Sequence, residues 1–114
     1  MKLITQPISL KEIKQMAKRK FGNLVKAVID IDKQIMVVDA DLHADQETLL
    51  IQNNSKQSHL WGINLYPEKY GSLDFIEFDS MINLRPSQNN LSRSIKDKKI
   101  QDQIRKIVKK LITQ

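Results

Sequence analysis

Apolar and polar positions alternate most cleanly between Phe75 and Pro86, in the run FIEFDSMINLRP. Read with period two, one side collects Ile76, Phe78, Ser80, Ile82 and Leu84. The other collects Glu77, Asp79, Met81, Asn83 and Arg85. Successive side chains of a strand point to opposite faces, so this spacing predicts a strand over 75–84 with its apolar side against a core. The opposite side would show solvent a row of two acids, an amide and a guanidinium. Such a row is costly near a core unless it is solvated, paired or used, which makes it the first place to look for function.

The same period organises residues 25–42 as a hairpin. With a two-residue turn at Lys33–Gln34, Val25, Ala27, Ile29, Ile31, Met36, Val38, Ala40 and Leu42 share one face. Lys26, Val28, Asp30, Asp32, Ile35, Val37, Asp39 and Asp41 share the other, and Lys26 lies opposite Asp41. A slip of one residue would mix these sets, so their segregation supports the pairing. Lys-Gln is a poor pair for a primed turn, since neither residue favours positive φ, and a longer loop stays open. Leu60–Tyr66 reads as a third long strand, with Trp61, Ile63 and Leu65 on one side and Asn64 and Tyr66 on the other. Lys2–Thr5 reads as a short edge strand.

Elsewhere the period changes to that of a helix. Ser9 followed by Glu12 forms a capping box, and Leu10, Ile13, Met16 and Ala17 follow at helical spacing to a stop at Gly22. Asp45 caps a short helix over 46–52. Asp97 caps a last helix whose Ile100, Ile104, Ile107, Val108 and Leu111 form one apolar stripe. Helix, hairpin, short helix, two strands and helix add up to an α+β fold. The expected architecture is a mostly antiparallel sheet of four to five strands, with two long helices packed on one face and a short helix in the middle. Residues 1–114 form a single compact domain in this reading. The opposite sheet face is expected to be partly open, carrying Asp30, Asp39, Asp41, Asn64, Tyr66, Glu77, Asp79, Asn83 and Arg85 among Val28, Val37 and Met81.

Composition narrows the chemistry. The chain has 114 residues, 40% of them apolar, and no cysteine. Disulfides, thiolate catalysis and cysteine-bound zinc are therefore excluded. No apolar run approaches the roughly 20 residues that span a bilayer, and MKLITQPISL lacks the apolar region and cleavage site of a secretory signal. A soluble cytoplasmic protein with no membrane partner is expected. The net charge of +6 is unevenly distributed: residues 30–79 hold ten acids and three bases, while the flanks hold sixteen bases and three acids. Basic ends suit an anionic partner, nucleic acid included. The competing explanation is that the lysines are solvated faces of two amphipathic helices.

Two constellations could carry chemistry. Asp39, Asp41, His43 and Asp45 recur every second residue, as do Glu77 and Asp79. If their strands are neighbours, Asp39, His43, Glu77 and Asp79 form a metal set suited to Mg²⁺ or Mn²⁺, which could activate water for phosphodiester cleavage. No cofactor is expected outside that case, and alternating acids on a solvated sheet face are the plainer explanation. The second constellation is the loop from Arg85 to Arg93, RPSQNNLSR, rich in guanidinium, hydroxyl and amide groups and leading to a helix start. Arg85, Ser87, Gln88, Asn89 and Arg93, with Glu77, Asp79 and Asn83, are the candidate ligand-binding residues, suited to phosphate or carboxylate. The plainer explanation is a structured connection in which Arg85 pairs with Asp79 or Glu77. His43 and His59 lack zinc-ligand spacing, no serine sits in a nucleophile elbow, and Trp61 reads as core. No catalytic residue can be assigned. Val28, Ile35, Val37 and Met81 would let two copies pair through the open sheet face.

The runs FGNLVKAVIDID, IMVVDADLHAD, LWGINLYP and FIEFDSMINLRPSQNNLSR resemble a small family of uncharacterised bacterial proteins, a domain of unknown function. The likeness extends from ITQPISL to the last helix. It implies a complete, compact, prokaryotic and cytosolic protein, and it carries no activity or catalytic residue to transfer. Three readings follow. The favoured one is a non-catalytic binding or regulatory domain using the open sheet face and the Arg85–Arg93 loop. The alternatives are a small metal-dependent nuclease or RNase-like toxin and a basic nucleic-acid-binding module.

Overall fold

Three helices and seven strands follow one another in the computed structural model, which describes residues 1–114. They are β1 (Lys2–Ile4), β2 (Ile8–Ser9), α1 (Leu10–Arg19), β3 (Val25–Asp30), β4 (Ile35–Val38), α2 (His43–Gln52), β5 (Leu60–Leu65), β6 (Ile76–Glu77), α3 (Lys98–Leu111) and β7 (Ile112–Thr113). Five strands form one sheet in the order β1-β4-β3-β5-β6, with every neighbouring pair antiparallel. β2 and β7 form a small separate parallel pair. The chain is thus α+β with an antiparallel main sheet, as its periodicities predict. No helix is long and apolar enough to cross a membrane.

The caps act at the predicted residues for the outer helices. The Ser9 hydroxyl accepts from the Glu12 amide at 3.2 Å, and the Asp97 carboxylate accepts from the Lys99 amide at 2.8 Å. Each satisfies a first-turn N–H that has no intrahelical acceptor. Past the end of α1, Gly22 adopts φ +89°, and its amide bonds back to the Ala17 carbonyl at 2.6 Å. α2 differs from expectation. It begins at His43, and its N-cap Leu42 has no side-chain oxygen to offer.

The hairpin keeps the predicted faces in a different register. Ala27 faces Val38 and Ile29 faces Met36, so paired positions sum to 65 instead of 67 and the loop has four residues, 31–34. Asp30 imposes this. Its Oδ1 accepts from the Asp32 and Lys33 amides at 2.9 Å each, and its Oδ2 accepts from the Ser55 hydroxyl at 2.6 Å. Those bonds fold the chain just after Asp30, and Gln34 closes the loop in the left-handed region at φ 58°. A shift of two residues preserves parity, so Val25, Ala27, Ile29, Met36 and Val38 still share one face, while Ile31 falls in the loop and Ala40 and Leu42 lie past the end of β4. The expected Lys26–Asp41 pair is lost because β4 stops at Val38. Asp41 pairs instead with Lys20 at 3.5 Å.

Both sheet faces are buried. On one, Val25, Ala27, Ile29, Met36, Val38, Trp61, Ile63 and Leu65 join Ile13 and Met16 of α1 and Ile104 and Ile107 of α3 in a single cluster. On the other, Val28, Val37 and Leu60 pack with Leu50 of α2, all four without solvent contact. The expectation of a partly open second face is therefore corrected: α2 and the turn at Met81–Asn83 cover it. The expected dimer patch goes with it. Val28 and Val37 lie inside the chain, and Met81 is left as an isolated exposed side chain.

The strand predicted over 75–84 is also corrected. Only Ile76–Glu77 pairs, with Leu65 and Asn64 of β5. The Ser80 hydroxyl accepts from the Ile82 amide at 3.3 Å and opens a 3₁₀ turn over Met81–Asn83. That turn breaks the period-two phase. Asn83 and Arg85 become buried, while Met81 and Leu84 are 61% and 45% exposed.

The turn can lie against β5 because position 62 is glycine. A Cβ there would stand 2.6 Å from the Ser80 Cβ and 3.1 Å from Ile82 Cγ1. Gly62→Ala should destabilise the fold by about 1–3 kcal/mol through overpacking. In urea denaturation the double variant Gly62→Ala/Ser80→Gly should recover part of that loss, and a strictly additive double variant would contradict this account.

Candidate functional site

β6 covers only the last two residues of β5, and side chains complete the rest of that edge. The Gly62 amide donates to Asn83 Oδ1 at 2.8 Å, and Asn83 Nδ2 donates to the Gly62 carbonyl at 2.9 Å. One carboxamide thus reproduces the donor–acceptor pair that a neighbouring strand would supply. The same Nδ2 reaches the Arg93 carbonyl at 3.0 Å.

Arg85 continues this edge. Its Nε donates to the Ile82 carbonyl at 3.0 Å, and Nη1 donates to the Gln57 carbonyl at 2.8 Å and to Gln88 Oε1 at 3.3 Å. Nη2 donates to the Leu60 carbonyl and to Glu47 Oε2, the latter at 3.3 Å. Those five acceptors match the five N–H groups of a guanidinium. The guanidinium carbon also lies 4.8 Å from the centroid of the Trp61 ring. Burial pushes Arg85 below its ordinary pKa, and Glu47 opposes the shift. The partner of Arg85 is Glu47 instead of Asp79 or Glu77, and the arginine is only 8% exposed.

Asn90 pins the loop from its other end. Its Nδ2 reaches the carbonyls of Asn83, Ser92 and Ser94, and its Oδ1 accepts from the Lys96 amide at 3.0 Å. Arg85 and Asn90 also exchange backbone hydrogen bonds at 2.8 and 3.0 Å. Between them Asn89 turns the chain at φ 59°, in the left-handed region that asparagine tolerates. Ser87, Gln88 and Asn89 are exposed, and Gln88 Nε2 donates to the Ser58 carbonyl at 3.0 Å.

The remaining predicted residues are dispersed. Arg93 Nε holds Asp79 Oδ1 at 2.7 Å. Glu77 Oε1 accepts from Asn64 Nδ2 at 2.8 Å and from the Tyr66 hydroxyl at 3.1 Å. Desolvation, then that hydrogen bond, raise the Tyr66 pKa. Asp39 lies in the left-handed region at φ 65°, beside Arg19 at 3.8 Å. His43 Nε2 contacts the Ile63 carbonyl at 2.7 Å, and burial lowers its pKa against that bond. No three histidine or acidic side chains come together in a geometry able to hold a metal ion. Strand order keeps Asp39 apart from Glu77 and Asp79, while His43 sits on α2 with its ring nitrogen on the Ile63 carbonyl of β5. β3 and β5 separate β4 from β6, roughly 14 Å across three inter-strand spacings.

What the loop does build is a cleft of about 340 Å³ between itself and the start of α3. Its wall runs from Trp61 through Gln88–Asn90 to Ile95–Asp97 and Ile100. Trp61 is 2% exposed, and its indole N–H has no hydrogen-bond partner. Burying such a donor unpaired costs about 1–3 kcal/mol. Lys96 and Asp97 bring opposite charges to the rim. Of this wall, Gln88 and Asn89 were legible beforehand as ligand candidates. Lys96, Ile95 and Trp61 were not, although the Asp97 cap directly after a polar loop was a usable signal. A second cleft of the same volume lies between Tyr70–Ile76 and Arg105, Val108 and Lys109 of α3. Its wall contains no buried side-chain polar atom lacking a partner.

Residues 2–111 match the family model described as "Protein of unknown function (DUF5674)", and the chain belongs to that family. No curated protein and no solved structure matches it.

Arg85→Lys should cost about 2–4 kcal/mol in urea denaturation, because an ammonium cannot reach all of these buried acceptors. Arg93→Lys, at an exposed pair, should cost less than about 1 kcal/mol. Stability should also fall on acidification. Below pH ~6.5 the unfolded chain takes up a proton on residue 43 that the folded chain resists, until the pH passes the lowered folded pKa. Comparing urea midpoints at pH 7.5 and 5.5, His43→Gln should show a smaller decline than the native chain. Equal declines would remove His43 as the cause.

Proposed function

We propose that this member of a family of unknown function is a non-catalytic binding domain, with its site in the cleft between the Arg85–Arg93 loop and the first turn of α3. The observation that carries the reading is Trp61, which lines a ligand-sized cavity and whose buried indole N–H has no partner. An acceptor atom on a bound molecule would remove the cost of that unpaired group. The surrounding wall is held before any ligand arrives. Arg85 and Asn90 anchor the loop through side-chain and backbone bonds at both ends, so little ordering is left to oppose binding.

Within the chain as a whole, the acids serve as structural partners more than as a reactive group. Asp30 folds a turn, Glu47 holds Arg85, Glu77 holds Asn64 and Tyr66, and Asp79 holds Arg93. A nuclease would need several of them around one point, which favours the binding reading over the catalytic one.

Trp61 is the only tryptophan, so its emission reports on this cleft. The test is a thermal-shift and Trp61-fluorescence panel of amino acids, nucleotides and short carboxylic acids on the native chain and on Ile100→Phe, which narrows the cleft. A ligand present at tenfold its Kd should contribute about 1.4 kcal/mol and raise Tm by roughly 4–8 °C. The expected result is at least one compound that shifts the native chain and leaves Ile100→Phe unmoved. A panel with no shift, or shifts of equal size in both proteins, would sink the assignment.

A further inference from the structure

The cleft's charge pattern points to the class of molecule it takes, an inference that rests on the binding reading above. The start of α3 supplies donors. The first turn of a helix leaves amide N–H groups without intrahelical acceptors, and the Asp97 carboxylate takes only one of them directly, that of Lys99 at 2.8 Å. Positive potential at a helix N-terminus favours a carboxylate. Trp61, which lines the same cleft, adds a second, independent observation: its buried indole N–H has no partner. Lys96 brings a cation to the rim.

A bare anion would nonetheless meet the Asp97 carboxylate. Asp97 lines the cleft beside Lys96, so the two formal charges at this mouth cancel. A neighbouring like charge within a few ångströms disfavours an anion, and an opposite charge on the ligand itself would offset it. Ile95 and Ile100 give the same wall an apolar portion. One class of small molecule carries all three complements close together: a carboxylate, an ammonium and an apolar body. We propose that the cleft binds a free α-amino acid with an apolar side chain. Its carboxylate meets the first-turn amides, Trp61 and Lys96, its ammonium meets Asp97, and its side chain lies on Ile95 and Ile100.

The test uses the full chain with three probes: L-leucine, N-acetyl-L-leucine, which lacks the ammonium, and isoamylamine, which lacks the carboxylate. Calorimetry and Trp61 emission should show leucine binding at least about tenfold more tightly than either analogue, a difference of about 1.4 kcal/mol. Asp97→Asn keeps a competent helix cap, since asparagine serves that position as well as aspartate. It should weaken leucine about tenfold and leave N-acetyl-L-leucine unchanged or tighter. Equal affinity for leucine and N-acetyl-L-leucine in the native chain would overturn the amino-acid assignment, as would no leucine binding at 10 mM. If other compounds of the panel still bind in an Ile100→Phe-sensitive way, the cleft remains the binding site and only its ligand class is wrong. If none do, both assignments fall.

Discussion

The outer edge of β5 from Leu60 to Gly62 is hydrogen-bonded by side chains, and the rest of the loop follows from that. A sheet edge carries N–H and C=O groups that must find partners when buried. β6 supplies them for Asn64 and Leu65 only. Asn83 then supplies both a donor and an acceptor for Gly62, and Arg85 supplies a donor for Leu60. Placing these two side chains inward forces the turn at Met81–Asn83 and its approach over Gly62. The same turn delivers the chain to the Arg85–Asn90 bridge and so to the cleft wall.

The second layer of the fold exists for a related reason. β5 is buried along its whole length, so both of its faces need covering, as do those of β3 at its centre. α1 and α3 contribute to one cluster, and α2 with the 3₁₀ turn closes the other. Polar groups on the second face are then held inside and must be paired. Gln46 Nε2 donates to the Lys26 carbonyl at 2.7 Å, His43 contacts the Ile63 carbonyl, and Asp30 satisfies its own turn and Ser55. This is why charge and amide groups that alternate along the strands serve structure here. Five buried side-chain atoms are left without a partner, Asp39 Oδ1, Gln46 Oε1, Asn64 Oδ1, Ser92 Oγ and the Trp61 indole nitrogen, and of these residues Trp61 lines the cleft beside α3.

Trp61 connects the core to the cleft. One part of its environment is the apolar cluster and the Arg85 guanidinium, and another is the open space before α3. Under the binding proposal, a donor held between core and anchored loop would need little movement to meet a ligand. Such preorganisation lowers the cost of binding, and its natural corollary is sensitivity to mutations in Arg85, Asn83 and Asn90 that never touch a ligand.

Much of this was readable in one dimension. Ser9, Gly22 and Asp97 mark helix ends through local hydrogen bonds, and local bonds need only neighbours in the chain. The face assignment of the hairpin survives a two-residue error in register, because side-chain direction depends on parity alone. The long strand at 75–84 failed at Ser80, where a hydroxyl-capped turn competes with extension, and where the buried partners of Asn83 and Arg85 lie some twenty residues away or more. Asp39 and Glu77 alternate alike in sequence, yet β3 and β5 lie between β4, which ends just before Asp39, and β6. From its own order of residues, then, the chain determines element types, caps, faces and the absence of thiol chemistry, all of which are set by near neighbours and composition. Only the tertiary structure decided strand order, the closure of the second face, the inward turn of Asn83 and Arg85, and the meeting of Trp61 with Lys96 and Asp97. Each of these depends on the geometry of groups remote in sequence, and no local pattern encodes such a distance.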